Sequence, residues 1–264
     1  MIIIGEKLNS TIKEIQIAIE NADRGGLASI AKGQYAAGAS YIDINAGMFV
    51  EDEPEKLAWM ATVVQEATGA PLSIDSPNTQ AIRRALEVNT NPDVLINSIN
   101  GEPKRFAEIL PLVVEYDTSV IALCMGTAGI PETVLERMEI AEKLVEDLSK
   151  AGVRQDKIFL DPLVLPLSTG TQNGNVVLET IRQLRVEFPK VHIACGLSNI
   201  SFHLPARKLI NQAFLVAAIY AGMDGAILDP LDQRLMSMLY ASEALFGKDN
   251  HCKTYLKKFR DGEV

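Results

Sequence analysis

Along the chain, short runs of apolar and β-branched residues alternate with longer stretches in which apolar positions recur at helical spacing. The short runs predict strands near Ile2–Gly5, Tyr41–Asn45, Pro71–Asp75, Val94–Asn97, Val120–Cys124, Ile158–Asp161, His192–Gly196 and Gly225–Asp229. Between them, helices are expected over segments such as Glu53–Ala67, Thr79–Val88, Pro131–Ala151 and Leu209–Ala221. Pro131 suits a first helical turn and Gly152 a helix end. Val94-Leu95-Ile96 and Ile158-Phe159-Leu160 are apolar without alternation, so both faces of those strands should be buried, as in a parallel sheet covered by helices. Eight such units predict an α/β fold of the (β/α)8 TIM-barrel type, one domain spanning 1–264. The other arrangement, an open doubly wound sheet, would be expected to carry Gly-x-Gly-x-x-Gly after the first strand, where the chain reads Gly5-Glu6-Lys7-Leu8-Asn9. The basic tail Lys253–Arg260, with Tyr255 and Phe259 four apart, reads as a terminal helix docked on the barrel.

Composition removes several function classes. At 47% hydrophobic and 22% charged over 264 residues, the chain is globular rather than disordered. Its 25 basic against 34 acidic residues leave a net charge of −9, which disfavours nucleic acid and anionic membranes as partners. No apolar run approaches the roughly 20 residues that cross a bilayer. The start, Met1-Ile2-Ile3-Ile4-Gly5-Glu6, shows neither a basic leader nor a cleavage site, so a cytoplasmic location is expected. Cys124, Cys195 and Cys252 lack a disulfide or zinc spacing, and His192, His203 and His251 are too scattered for a metal cluster. Cys124 and Cys195, inside apolar strands, read as small buried hydrophobes, and Trp59 as barrel packing.

The most informative positions are those where apolar strands stop: Asp43-Ile44-Asn45, Asp75-Ser76, Asn97-Ser98, Asp161-Pro162, Gly196-Leu197-Ser198-Asn199 and Asp229-Pro230. On a barrel they converge on the C-terminal rim, where active sites of this fold lie. Any one of them could instead cap the following helix. Together they point to a site, with Glu6 also facing the rim. Carboxylates accept hydrogen bonds and Asn amides do both, a set suited to a flat, neutral heterocycle rich in N–H groups. A divalent metal is the competing use of the carboxylates, against which Asn97 and Cys124-Met125 interrupt the acidic series. No Gly-x-x-x-x-Gly-Lys loop supports phosphate binding.

Asp75-Ser76, Ile96-Asn97-Ser98, Asp161-Pro162-Leu163 and Gly196-Leu197-Ser198-Asn199, in that order, resemble the pterin-binding methyltransferases that act on 5-methyltetrahydrofolate and a corrinoid protein. The likeness extends from Ile3-Gly5-Glu6 through Gly129-Ile130-Pro131 to Leu209-Ile210-Asn211. The nearest groups are the methyltetrahydrofolate:corrinoid iron-sulfur protein methyltransferases of acetogens and the tetrahydrofolate methyltransferases of betaine or methylamine demethylation, with the folate domain of cobalamin-dependent methionine synthase more distant. The resemblance implies that Asp75, Asn97 and Asp161 bind the pyrimidine edge of the pterin, that Gly196 and Ser198 shape the wall, and that Asn199 hydrogen-bonds near N5 as the catalytic residue. Arg207 matches a family arginine after the seventh strand and joins the folate contacts. No site metal is implied. A homodimer is.

None of the three histidines lies in the Asp-x-His-x-x-Gly setting of a corrinoid domain, so the cobalamin is expected on a partner protein. Phe202-His203, where acetogen relatives carry polar residues, favours transfer from methylcorrinoid to tetrahydrofolate. The acetogenic direction is the alternative. A synthase of the dihydropteroate type shares the barrel, but its Asn-x-Thr-Pro-Asp-Ser stretch and basic eighth strand end are absent.

Overall fold

The computed structural model describes residues 1–264. Eight parallel strands close into a barrel in chain order: β1 (Ile2–Asn9), β2 (Tyr41–Asn45), β3 (Leu72–Asp75), β4 (Val94–Asn100), β5 (Ser119–Leu123), β6 (Ile158–Asp161), β7 (His192–Gly196) and β8 (Gly225–Leu228), with β8 pairing back to β1. Helices α1 (Lys13–Glu20), α2 (Arg24–Ala36), α3 (Glu53–Thr68), α4 (Thr79–Val88), α5 (Pro103–Glu115), α6 (Val134–Lys150), α7 (Asn173–Glu187), α8 (Arg207–Ala221), α9 (Gln233–Leu245) and α10 (Lys253–Arg260) surround it. The expected (β/α)8 barrel is therefore present. None of its helices is long and apolar enough to cross a membrane.

Strand side chains follow a period of two, and this divides the apolar residues between two cores. Ile42, Ile44, Leu72, Ile74, Val94 and Ile96 face outward into the large layer beneath the helices. Ile4, Leu95, Ile121, Phe159 and Ala194 face inward and form a small plug, with Ile2, Tyr41 and Ile227 packed against it. Strands buried on both faces explain why their sequences show no alternation. Phe159 fills the barrel axis, with Tyr41 edge-on at 6.4 Å and His192 at 4.7 Å between ring centroids.

Some boundaries differ from expectation. β1 runs on to Asn9 through an irregularity between Gly5 and Leu8. β5 starts and ends one residue early, leaving Cys124 in the turn, still buried like Cys195. Pro131 does not begin a helix. Thr133 caps α6 instead: its Oγ1 accepts from Glu136 N at 3.3 Å while Glu136 Oε2 accepts from Thr133 N at 3.1 Å. This reciprocal box satisfies two end donors, which Pro131 cannot do. At the other end Gly152 does follow the helix, at φ +92°.

Candidate active site

The period of two that builds the plug also builds the site. Two residues beyond inward-facing Ile4, Leu95, Phe159, Ala194 and Ile227 come Glu6, Asn97, Asp161, Gly196 and Asp229. One turn of pleat carries each strand from apolar floor to polar mouth. Asn9, Asn45, Asp75 and Asn97 are consecutive register partners across β1 to β4, so they form one row. Asp161 stands on the far side on β6, in register with Leu123.

Hydrogen bonds fix this row. Asn45 Nδ2 donates to Asp75 Oδ2 at 2.9 Å, and Asn45 Oδ1 accepts from Ser10 Oγ at 3.0 Å and Gly47 N at 3.0 Å. One layer below, buried Asp43 accepts from Ser73 Oγ at 2.6 Å and from Asn97 Nδ2 at 3.3 Å. The Asn97–Ser98 peptide is cis. Ser76, expected beside Asp75 at the mouth, turns away from it and donates to buried Glu53 Oε1 on α3 at 2.6 Å. Asp161 accepts from Leu163 N at 2.8 Å, which holds Leu163 in the left-handed region at φ +66°.

Burial is what keeps these carboxylates from ionising freely, and a neighbouring carboxylate adds to it at Asp75, Asp43 and Glu6. Burial pushes Asp161 up to about 7, against the Leu163 N–H and the Arg137 guanidinium, which favour its charge. Burial also raises Asp75 to about 6, with Glu53 adding to it and Asn45 and Arg105 opposing it. Asp43 is raised well above the usual carboxylate range by burial and by Asp75. Burial and Asp229 together lift Glu6 to about 7. Acceptors without enough donors are what a ligand bearing N–H groups relieves.

Beyond β7 a tight turn covers Leu197–Ser201 and brings Ser198 and Asn199 over the mouth. Asn199 is exposed, and its Nδ2 lies 3.0 Å from where a Gly196 side chain would begin, so any larger residue at 196 would crowd the amide and shift it by a few tenths of an ångström. The capping role open to Asn199 is not taken: Ala206 precedes α8 and no side chain caps that helix. Arg207 donates from Nε to Ser201 Oγ at 3.1 Å and from Nη2 to Ser198 O at 2.9 Å, and packs over Phe202 at 5.6 Å. Ser198 and Arg207 line a cavity of about 320 Å³ with Glu6, Asn211, Asp229 and Asp232. Of its two cations Lys208 pairs with Asp232 at 3.0 Å, whereas Arg207 has no carboxylate partner; Lys7, just outside the lining, pairs with Asp229 at 3.2 Å.

Asp75, Asn97, Asp161, Gly196, Ser198, Asn199 and Arg207 thus lie at the strand ends or following loops of one end of the barrel, Asp75 with Asn97 as direct neighbours, while of the seven only Ser198 and Arg207 line that cavity. The sequence reading missed Asn9, Lys7, Asn211 and the supporting Glu53. Glu6 and Asp229, both expected at the rim, also fall two residues beyond plug residues. Nothing in the sequence pattern marks Glu53 on α3, and Asn211 on α8 belonged to the family likeness without a role attached to it.

Comparison with known proteins matches residues 5–229 to the model of the pterin binding enzyme family. The chain is 40% identical to a methylcorrinoid:tetrahydrofolate methyltransferase of Eubacterium limosum, across 100% of this chain and 98% of that protein. It is 32% identical over 241 residues to a methionine synthase of Mycobacterium tuberculosis, covering 86% of this chain but only 20% of that much longer protein. Among solved structures, a Yersinia pestis dihydropteroate synthase with a sulfonamide drug complex superposes with a TM-score of 0.71 over 94% of each chain at 15% identity, a likeness of fold.

Proposed function

We propose, for a chain that belongs to the pterin-binding enzyme family, that it transfers a methyl group from the cobalt of a corrinoid, carried by a partner protein, to N5 of tetrahydrofolate. The observation that carries this reading is the polar mouth above an apolar plug: Asp75 and Asn97 side by side, and Asp161 facing them, each with acceptor capacity left over. A pterin's pyrimidine edge offers the missing N–H donors. The full-length likeness to a methylcorrinoid:tetrahydrofolate methyltransferase supports both the substrates and the direction.

In this reading Asp75, Asn97 and Asp161 hold the pterin ring, Gly196 and Ser198 form its wall, and Arg207 meets the outer part of the folate. The reaction is a displacement. The cobalt–carbon bond breaks and its electron pair stays with cobalt, while the N5 lone pair forms the new C–N bond and the N5 proton leaves. Positive charge therefore grows on N5. The Asn199 amide oxygen can accept from the N5 proton as that charge develops, and the same amide can donate to N5 once the proton has gone. One such contact, by analogy with an oxyanion-hole donor, contributes about 3 kcal/mol to the transition state. The cobalt is a substrate brought to the rim. His192, the histidine nearest the barrel axis, lies at the opposite end and pairs with Asp224 at 2.9 Å.

The cavity's three carboxylates, Glu6, Asp229 and Asp232, outnumber its two cations, Arg207 and Lys208, a lining ill suited to a pyrophosphate, which weighs against the dihydropteroate synthase type of reaction. We further place residues 1–264 as one pterin-binding unit, acting as a homodimer in the cytoplasm with a betaine- or methylamine-type demethylation system. Sedimentation at micromolar concentration showing monomer alone would remove the dimer. The direct test of function is incubation with methylcobalamin and tetrahydrofolate. Expected is loss of methylcobalamin absorbance with formation of 5-methyltetrahydrofolate; no transfer with either free or protein-bound methylcorrinoid sinks the assignment.

A further inference from the structure

Three arginines stand behind the loops that carry the ligand-facing residues and donate to their backbone carbonyls. Arg207 holds Ser198 O, and the fully buried Arg137 of α6 holds Pro162 O at 2.7 Å and Leu163 O at 2.8 Å, next to Asp161. Arg105 differs, because it ties together two strand ends that both present expected pterin contacts. It sits in the first turn of α5. Nε and Nη2 donate to Ser98 O at 3.0 and 2.8 Å, Nη2 also to Ser76 O at 2.8 Å, and Nη1 to Pro77 O at 2.7 Å. Four of its five N–H groups are thereby engaged.

The placement of those carbonyls matters. Ser98 directly follows Asn97, and Ser76 and Pro77 directly follow Asp75. β3 ends at Asp75, and beyond it Ser76 N still donates to Asn97 O at 3.1 Å, after which no ladder joins the two segments. Arg105 takes over at that point. A planar guanidinium can span carbonyls of two chains with fixed angles, whereas an ammonium is a point charge that cannot impose them. The same side chain draws three carbonyl oxygens toward itself. Its charge also opposes the upward pressure on Asp75 that comes from burial and Glu53.

We propose that Arg105 is a positioning residue for pterin recognition, holding the backbones that carry Asp75 and Asn97 in one relative placement so that both side chains meet the same ligand edge together. The proposal rests on the pterin reading of the site. If the two groups engage a ligand only one at a time, affinity falls, while the chemistry at N5, which belongs to the β7 side, proceeds once the folate is bound.

The test compares wild type with Arg105→Met and Arg105→Lys in tetrahydrofolate titrations normalised to folded protein, together with single-turnover methyl transfer at saturating folate. Expected for Arg105→Met is a rise in Kd of about tenfold with the saturated rate within about threefold of wild type, the signature of lost uniform binding. Arg105→Lys, which keeps charge but loses the fork, should lie between the two. An unchanged Kd in the folded variants, with only thermal stability lowered, makes Arg105 a plain structural brace and overturns the proposal. Should Arg105→Met not fold, Arg105→Lys decides by the same criterion. A wild-type protein that does not bind tetrahydrofolate refutes the pterin reading itself, whereas binding by wild type with unaltered variants refutes only the role of Arg105.

Discussion

Asn199→Ala separates catalysis from structure unusually well. The side chain is exposed, caps no helix and has no hydrogen-bond partner within the chain, so its removal leaves nothing in the fold unpaired. Stability should change by no more than about 0.5 kcal/mol, as at ordinary surface positions. If the amide follows the N5 proton, the lost contact costs what one transition-state hydrogen bond costs, about 3–4 kcal/mol, and the transfer rate falls by about 10²–10³. Tetrahydrofolate affinity should change far less, because Asp75, Asn97 and Asp161 stay in place on other strands. The assay is single-turnover transfer read through the cobalt absorbance, run beside thermal unfolding and a folate titration. An unchanged rate removes Asn199 from the mechanism. So does a matching loss of folate affinity, which would make it a binding residue.

Asp75→Ala and Asp161→Ala should each weaken tetrahydrofolate binding by about 1–3 kcal/mol, because a pterin donor is left unpaired; calorimetry showing equal affinity would contradict the pterin assignment. Gly196→Ala should fold, yet its new methyl meets Asn199 Nδ2 at 3.0 Å and displaces it, so transfer should slow while folate still binds; full activity would show that the amide's location is unimportant. Asp75, Asp161 and Glu6 have folded-state values raised to about 6, 7 and 7, so each binds its proton more tightly folded than unfolded. Their contribution to stability is present at acid pH and lost as pH rises from about 4 towards 7, and the unliganded melting temperature should fall over that window. A pterin that pairs with ionised Asp75 and Asp161 reverses the preference, so folate binding should strengthen from pH 5 to 7.5 and release protons; heats of binding independent of buffer ionisation enthalpy would contradict this.

Much of the barrel was legible because its strands are short, apolar and separated by strongly periodic helices. Tyr41–Asn45, Ile158–Asp161, His192–Gly196 and Thr79–Val88 occupy the expected spans. Pro131 misled because a proline's preference for a first turn is weaker than the paired caps of Thr133 and Glu136 two residues on. The rim residues were legible because polar groups that end apolar runs stand out. Their supports were not. Arg105, Arg137 and Glu53 lie on helices where a charged residue ordinarily faces water, and only the turn of each helix against its loop shows that they face inward. A bond to a backbone carbonyl leaves no mark on the partner's residue type.

The apolar plug has a kinetic meaning as well as a packing one. Ile4, Leu95, Ile121, Phe159 and Ala194 leave no passage along the barrel axis, so the pocket is a blind alley with a single mouth. In the proposed reaction the corrinoid carrier has to sit over that same mouth. Folate must therefore arrive before the carrier docks, and methylated folate can leave only after it departs. Each turnover is a forced sequence of arrivals and departures, and a carrier that lingers blocks the exchange it serves. A large excess of spent carrier, held over the mouth, should therefore slow the enzyme by delaying folate exchange.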